Sequence, residues 1–345
     1  MTDAEMQSMC FVPLARPRRA ILLILVAAAT GISACSAPSL LITPVSSRRQ
    51  LEESELSRDS LFARDKIALI DISGTIQNSE TGFFLNPGDN PVSLLLEQLD
   101  AARRDHAVKA VVLRINSPGG TVVASELMHD EITHFRKTTG KPVVAVMMDV
   151  AASGGYYVAC ACDEIVAQPS TVTGSIGVIM LLFDATGTMN MIGLKGDAIT
   201  SGPFKDAGSP FRAMKPEERE WFQKIVLDMY ERFVKVVVAG RPKLDEAAVR
   251  KLADGRVYTA GQALEVGLVD RVATLRDTVD VLKKRTHSSA VRLVVYGRPY
   301  DYRPNYYASA PTPPAATNVN LLNVNLPASL LPRAPQFLYL WAPGH

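Results

Sequence analysis

The stretch KAVVLRINSPGGTVVASELMHDEITHFRKTTGKPVVAVMMDVAASGGYYVACAC (109–162) decides the fold of this chain. The apolar runs at 109–115 and 143–148 predict strands, because continuous apolar runs are typical of strands that are buried on both faces. Between them, residues 121–137 have the spacing of an amphipathic helix that ends at Gly140. Strand, helix and strand in this order predict a parallel βαβ unit.

The same alternation extends to both sides of this stretch. Further elements are predicted as strands at 67–72 and 164–168 and as helices at 91–105 and 154–162. We therefore predict an α/β core of repeated βαβ units with a mainly parallel sheet. A strong amphipathic helix is also predicted from Pro216 to Gly240, with an apolar face that we expect to contact the core.

Composition limits the classes of function. The 345 residues are 47% hydrophobic and 21% charged, which suits one globular domain with appendages. The net charge of +2 comes without a basic stripe, so we predict no nucleic-acid partner. Cys160 and Cys162 are too close in sequence for an easy disulfide, and no second Cys or His cluster accompanies them. We predict small buried residues there, and neither a metal site nor a cofactor.

The first 35 residues predict a targeting segment. Basic residues at 16–19 precede an apolar run at 20–29 that is short for a membrane span. Small residues at 31–34 then precede Cys35, which resembles a bacterial lipobox whose cysteine becomes the lipidated first residue of the mature chain. An uncleaved N-terminal anchor is the alternative. Both interpretations place the domain outside the cytoplasm, facing the bacterial periplasm and attached to a membrane.

The remaining chain divides into three predicted regions. Residues 36–64 are polar and suit a linker, residues 65–298 hold the α/β domain, and residues 299–345 form a Pro/Asn-rich extension. The last part of that extension, Phe337 to Trp341, is too apolar for a solvated tail. We expect it to dock on the domain or on a neighbouring subunit.

Two strand-to-helix turns contain the candidate catalytic residues. The first, INSPGG (115–120), leaves backbone N–H groups uncovered at a helix N-terminus, as a developing oxyanion would require. The second, AASGGYY (151–157), places Ser153 where its hydroxyl can project from the sheet edge beside the N–H of Gly154. A serine before two glycines can equally be a helix N-cap.

A serine nucleophile needs a base, and the histidines are poorly placed to supply one. We expect His129 and His134 to be solvated on the helix after the first turn, and no histidine lies between His134 and His287. We therefore favour a lysine. Lys205 lies in the Gly/Pro-rich loop SGPFKDAGSPF (201–211), where specific contacts rather than regular structure must position residues. A lysine base must be desolvated to be neutral near neutral pH, and adjacent phenylalanines could provide an apolar wall. A solvated loop lysine is the alternative, and Lys195 and Lys215 are rival bases.

The motifs INSPGG, AASGGYY, TVTGSIGV (171–178), SGPFKDAGSPFR (201–212) and GRVYTAGQALEVGLVD (255–270) resemble, in this order, the signal peptide peptidase A family of serine peptidases. The resemblance covers about residues 65–275. It implies a Clp protease/crotonase-like fold, a Ser-Lys dyad formed by Ser153 and Lys205, and oxyanion donors among Gly119, Gly120 and Gly154. It also implies homo-oligomers whose binding grooves lie at subunit boundaries, so the dyad can form between two subunits.

This resemblance predicts an endopeptidase that hydrolyses extended apolar peptides, such as cleaved signal peptides, outside the cytoplasm. Two alternatives come from other classes. A crotonase-like acyl-thioester enzyme would use the same paired oxyanion donors and would bind coenzyme A. A non-catalytic scaffold lipoprotein would need neither the oxyanion donors nor coenzyme A. Coenzyme A binding and covalent labelling of Ser153 distinguish the three.

Overall fold

A nine-stranded sheet lies at the centre of the computed structural model, which describes residues 50–79, 82–83, 86–87, 89–298 and 337–341. The described strands of the chain, in this sheet and in two smaller ones, are β1 (Glu52–Arg58), β2 (Asp65–Ser73), β3 (Gly82–Phe83), β4 (Asn86–Pro87), β5 (Val108–Ser117), β6 (Gly119–Thr121), β7 (Val143–Ala152), β8 (Glu164–Ala167), β9 (Val172–Gly174), β10 (Ile179–Met180), β11 (Val257–Thr259), β12 (Arg271–Val272), β13 (Val291–Gly297) and β14 (Phe337–Leu340). Its described helices are α1 (Pro91–Arg104), α2 (Val122–Thr139), α3 (Gly154–Ala159), α4 (Thr186–Met191), α5 (Pro216–Gly240), α6 (Glu246–Leu252), α7 (Ala260–Glu265) and α8 (Leu275–Arg285).

The large sheet is mainly parallel. Its strand order is β1-β13-β2-β5-β7-β8-β12, and β9 joins it by pairing with both β7 and β11. The pairs from β13 across to β12 are parallel, whereas β1 with β13 and β9 with β11 are antiparallel. This arrangement confirms the predicted α/β class.

Both faces of the sheet are buried. Along β2, Ala68 and Ile70 contribute to one apolar core, while Ile67 and Leu69 contribute to the other. Helices α1, α2 and α5 cover the first face, and α8 covers the second. Because side chains alternate across a strand, a strand with two buried faces is apolar at most of its positions. This explains the unbroken apolar runs in the sequence.

Helix α5 has the predicted bounds, but its predicted apolar face is buried in the core over only part of its length. Phe233, Val234 and Val237 in its C-terminal half are buried in the core. Trp221 and Leu227 in its N-terminal half are exposed. The predicted apolar face is confirmed in its second half, where Met229, Phe233 and Val236 pack in or against the core. On the same face, Phe222 and Ile225 in the first half are partly buried, whereas Trp221 and Leu227 do not belong to the predicted face.

The predicted linker at 36–64 is wrong over its second part. Residues 52–58 form β1, which pairs antiparallel with β13 at the edge of the sheet. An edge strand with exposed side chains is polar, so it lacks the apolar signal by which strands are recognised. Conversely, the expected docking of Phe337 to Trp341 is confirmed, because β14 pairs with β6 of the same chain.

The predicted targeting segment, including Cys35, lies outside the described residues, as does most of the extension after residue 298. Within the described part of the chain, no helix is both long enough and apolar enough to span a bilayer.

We expect the stability of the folded chain to depend strongly on a buried ion pair between β2 and β5. Arg114 lies opposite Asp71 and donates to both of its carboxylate oxygens, over 2.6 and 2.9 Å. The two side chains are only 4% and 11% exposed. Arg114→Ala should lower the free energy of unfolding by about 3–5 kcal/mol, because it removes a charged donor of two hydrogen bonds from a buried carboxylate. Chemical denaturation followed by circular dichroism measures this.

Arg104→Ala is the matched control, because Arg104 is 76% exposed beside Asp100 on α1. It should change the free energy of unfolding by less than about 1 kcal/mol. Equal effects of the two substitutions would contradict a structural role for the buried pair.

Candidate active site

Ser153 lies at the junction of β7 and α3, in a backbone conformation that L-residues rarely adopt. Its φ is 52° and its ψ is −116°. Its N–H donates to the Gly174 carbonyl over 2.7 Å, and its own carbonyl accepts from the N–H of Tyr157 over 2.9 Å. The residue is 1% exposed. Such strained conformations persist only where the surroundings impose them, and they cluster at functional sites.

The hydroxyl of Ser153 does not serve as a helix cap. Ser153 occupies the N-cap position of α3, but its side chain makes no capping hydrogen bond. Among the described residues, no hydrogen bond of this hydroxyl is found at all. The helix-cap interpretation of the sequence is therefore wrong, and the hydroxyl is left available for another role.

Gly119 and Gly154, two of the three predicted oxyanion donors, are in direct backbone contact. A methyl group placed on Gly119 would lie 2.7 Å from the Gly154 nitrogen, and one placed on Gly154 would lie 3.2 Å from the Gly119 Cα. Gly119 also has a φ of +103°, which glycine adopts without strain. Any larger residue at either position would separate the two turns.

At position 120, glycine is required for a different reason. A methyl group on it would lie 1.8 Å from the carbonyl oxygen of Ile76, which forms a β-bridge to Gly120 and accepts from the Thr121 N–H. Glycine at this position is thus explained by the close approach of another backbone segment.

Ser117 is a neighbour of the site that the sequence analysis missed. It is fully buried, its hydroxyl donates to the Gly74 carbonyl over 2.6 Å, and it accepts from the Gly119 N–H over 3.1 Å. The only feature of the sequence that could have indicated this role is that Ser117 lies two positions before a glycine in a turn. Ser117 holds the Gly119 peptide in place, and its hydroxyl is the present partner of that N–H group.

Lys205 lies on the surface of the chain. Its backbone N–H donates to the Gly202 carbonyl over 3.1 Å, and the residue is exposed. No hydrogen bond or ion pair connects its amine with any described residue, Ser153 included. The predicted apolar wall is also wrong within one chain, because Phe204 and Phe211 are themselves 49% and 53% exposed. Among the residues that the structure describes, none buries these side chains of the loop.

Arg212 fixes the backbone beside Lys205. Its guanidinium donates to Asp206 over 2.6 and 2.9 Å and to Glu218 over 2.6 and 3.0 Å. The Glu218 side chain is 1% exposed and also accepts from the Lys215 N–H at the start of α5. Hydrogen bonds from Arg212 hold the pKa of both carboxylates below their ordinary values. The loop is therefore tied to α5 although its apolar side chains are exposed.

The histidines do not complete a triad within the described residues, where none donates to or accepts from Ser153. His134 is exposed, as predicted, but the prediction of a solvated position for His129 is wrong. Its ring contacts Tyr157 edge-on, with centroids 5.3 Å apart, and burial lowers its pKa. Helix α3 packs closely enough on α2 to cover that side chain.

Cys160 and Cys162 are free and buried, as predicted. Burial raises the pKa of Cys160 to about 12, which makes it a poor nucleophile. Among the residues whose placement is described, no group of three or more His, Cys, Asp or Glu could hold a metal ion.

Comparison with known proteins assigns the family. The model of Peptidase family S49 matches residues 135–289. A provisionally named signal peptide peptidase SppA of Enterococcus faecium is 35% identical over 70% of this chain and 71% of its own length. A provisionally named protease of Methanocaldococcus jannaschii is 37% identical over 69% of this chain and 76% of its own.

The chain belongs to peptidase family S49. It is a serine peptidase, and its mainly parallel α/β core is the Clp protease/crotonase-like fold of S49 enzymes. The Arabidopsis thaliana protein named Serine protease SPPA, chloroplastic, is 36% identical over 68% of this chain and 35% of its own length. Among solved structures, a mutant of the 1510-N membrane-bound stomatin-specific protease aligns with 63% of this chain and 84% of that one, at 15% identity and a TM-score of 0.40.

We expect the contact between the two glycines to be essential for hydrolysis by this S49 peptidase. Gly119→Ala introduces a methyl group 2.7 Å from the Gly154 nitrogen and strains a residue at positive φ. The two N–H groups must then move apart, and peptide hydrolysis should fall by about 100-fold or more. Steady-state cleavage of a fluorogenic peptide measures the loss.

Gly261→Ala is the control, because a methyl group there meets nothing within 4 Å on helix α7. It should retain full activity. A folded Gly119→Ala protein with wild-type hydrolysis would show that the contact has no part in the reaction.

Proposed function

We propose that this S49 peptidase is an endopeptidase with a Ser153–Lys205 dyad, and that the N–H groups of Gly119 and Gly154 form its oxyanion hole. The observation that carries the proposal is the uncapped hydroxyl of Ser153 on a strained turn, directly beside the contact between the two glycines. Of the glycines considered, Gly119 is favoured over Gly120 because Gly120 is accounted for by its approach to Ile76.

In the proposed reaction, the Ser153 oxygen bonds to the carbonyl carbon of the substrate as its proton passes to the neutral amine of Lys205. The carbonyl oxygen becomes an oxyanion that accepts from the two glycine N–H groups. Collapse of this intermediate breaks the peptide bond, and the leaving amine takes the proton from the Lys205 ammonium. Water then hydrolyses the acyl-enzyme by the same steps. The Gly119 N–H must exchange its present acceptor, the Ser117 hydroxyl, for the oxyanion.

The exposure of Lys205 supports a homo-oligomer. Burial favours the neutral form of an amine, which a general base requires, and one copy of the chain does not bury this residue. Large apolar side chains between positions 181 and 221 of the same chain are also exposed, namely Leu181, Phe183, Met191, Ile192, Leu194, Phe204, Phe211 and Trp221. A surface of this kind marks a protein contact. We propose that a second copy covers it, so that Lys205 of one subunit serves Ser153 of its neighbour.

The proposed substrates are extended apolar peptides, including cleaved signal peptides. Support comes from the relative that is named a signal peptide peptidase. We further propose that lipidation at Cys35, after removal of residues 1–34, anchors the enzyme outside the cytoplasm, where such peptides occur. Residues 299–345, apart from β14, would then be an appendage of the peptidase domain.

Substitution of either member of the dyad should abolish hydrolysis. Ser153→Ala and Lys205→Ala should each reduce kcat by at least about 1,000-fold with the fold retained, because nucleophile and base act as a unit. Lys195→Ala is the matched control, since Lys195 is exposed in the same region and was a rival base. Full activity of Lys205→Ala would rule out this base.

Mixing the two inactive variants tests whether the dyad crosses a subunit boundary. If subunits of Ser153→Ala and Lys205→Ala are dissociated and reassembled together, some boundaries contain both native residues. Random assembly of an equal mixture should restore about a quarter of the wild-type rate. No recovery in mixed oligomers, confirmed by differently tagged subunits, would place both residues in one chain.

A further inference from the structure

A cavity of about 630 Å³ lies at the edge of the large sheet where its parallel strands begin. Lys109 at the start of β5 and Pro142, which directly precedes β7, both line it. Ser153 follows the other end of β7, and a strand of ten residues spans about 33 Å. The cavity is therefore separate from the candidate active site.

This cavity, here named the basic cavity, has strongly cationic walls. Arg136 donates to one carboxylate oxygen of Asp163, and the Val143 N–H donates to the other over 2.8 Å. The only acidic side chain among the described residues of the wall is thus fully engaged. Five basic side chains and this one acidic side chain line the cavity, namely Lys109, Arg136, Lys137, Lys141, Arg285 and Asp163.

Two lysines are held in the wall by backbone carbonyl groups. The Lys141 amine donates to the carbonyls of Ala102 and Asp105 over 2.6 and 2.8 Å, and the Lys109 amine donates to that of His106 over 3.2 Å. An ammonium has three N–H donors, so each amine keeps at least one for a ligand. Burial lowers the pKa of Lys141 and the charge of Lys109 lowers it further, whereas Asp105 opposes both. An anionic ligand would offset these effects.

Two carboxylates lie just outside the wall. Asp65 is 3.8 Å from Lys109 and accepts from the Ser288 hydroxyl over 2.7 Å. Asp105 accepts from the Lys66 amine over 2.8 Å. Because both already have hydrogen-bond donors of their own, they neutralise the wall only in part.

Three groups of the wall have no acceptor among the described residues. The side chains of Lys137 and Arg285 make no hydrogen bond or ion pair there, and the Nε of Arg136 is buried without an acceptor. Basic residues complement the dipole at the ends of α2 and α8, which explains why they occur in these positions. It does not explain a buried N–H without an acceptor, which is uncommon and suits a site that receives its acceptor from a ligand.

The composition of the wall indicates the class of ligand. Thr133 and Thr286 add hydroxyl groups to the guanidinium and ammonium groups, and these are the donors that bind phosphate. Among the described residues that line the cavity, none is aromatic or a large aliphatic residue, so neither a nucleobase nor an acyl chain finds a surface to pack on. The volume and the number of cations exceed what a single phosphate group requires.

We propose that the basic cavity binds an anion that carries several phosphate groups, through Lys137, Arg285 and the remaining N–H donors of Lys109 and Lys141. The ligand does not compete with peptide substrates, because Ser153 lies at the opposite edge of the sheet. A soluble polyphosphate and a phospholipid headgroup share this chemistry, and the experiment distinguishes them.

Calorimetric titration of the full chain with sodium tripolyphosphate tests the site. We expect saturable binding of one tripolyphosphate per chain at about 0.15 M salt. Lys137→Ala and Arg285→Ala should each weaken it by about 5-fold or more, because each removes a charged donor. ATP should bind no more tightly than tripolyphosphate, since the wall offers adenine no stacking surface. Tighter binding of ATP would contradict the assigned class of ligand.

Lys284→Ala is the matched control, because Lys284 is exposed next to Arg285 on α8 but does not line the cavity. It should leave the affinity for tripolyphosphate unchanged. No saturable binding at about 1 mM tripolyphosphate, or an equal loss of affinity in Lys284→Ala and Arg285→Ala, would overturn the inference. Circular dichroism confirms that each variant is folded.

Vesicles identify the source of the phosphate groups. Tripolyphosphate is titrated in the presence of phosphatidylcholine vesicles with or without phosphatidylglycerol, so that any membrane anchor acts equally in both. Displacement of tripolyphosphate by the anionic vesicles alone would assign the site to a lipid headgroup. Unchanged binding in both would assign it to a soluble ligand.

Discussion

The backbone conformation of Ser153 is the constraint on which the candidate site depends. A residue at φ 52° and ψ −116° holds its place because the Gly174 carbonyl fixes its N–H and helix α3, buried along its length, begins from its carbonyl. Strain of this kind costs about 1–3 kcal/mol, which the parallel sheet around β7 must offset. If the turn relaxed, the Gly154 N–H would leave its position beside Gly119, and the proposed nucleophile and the proposed oxyanion donors would separate together.

The region that carries Lys205 is held in a different way. Its apolar side chains are exposed, yet the backbone is held by one arginine that donates to two carboxylates, on Asp206 and Glu218. A planar guanidinium with several donors suits this role better than an ammonium would. The loop is thus defined within a single chain, so the proposed association of subunits would join preformed surfaces rather than require folding upon binding.

Glycine at positions 119 and 120 lets a distant strand approach the two turns. Without side chains there, β14 pairs with β6, and the Tyr339 carbonyl oxygen comes close to both Gly119 and Gly154.

The amino-acid sequence by itself determined the α/β class, the bounds of the main strands and helices, and the two turns that hold Ser153, Gly119 and Gly154. It could do so because burial on both sheet faces demands continuous apolar runs, and because tight strand-to-helix turns demand glycine. It missed β1, whose edge position needs no apolar residues, and it misplaced His129, whose burial depends on the neighbouring helix. Tertiary structure alone decided that Gly119 rather than Gly120 contacts Gly154, that Lys205 is exposed, and that the Tyr339 carbonyl approaches both glycines. Each of these depends on which distant backbones approach one another, and no local pattern of residues encodes such distances.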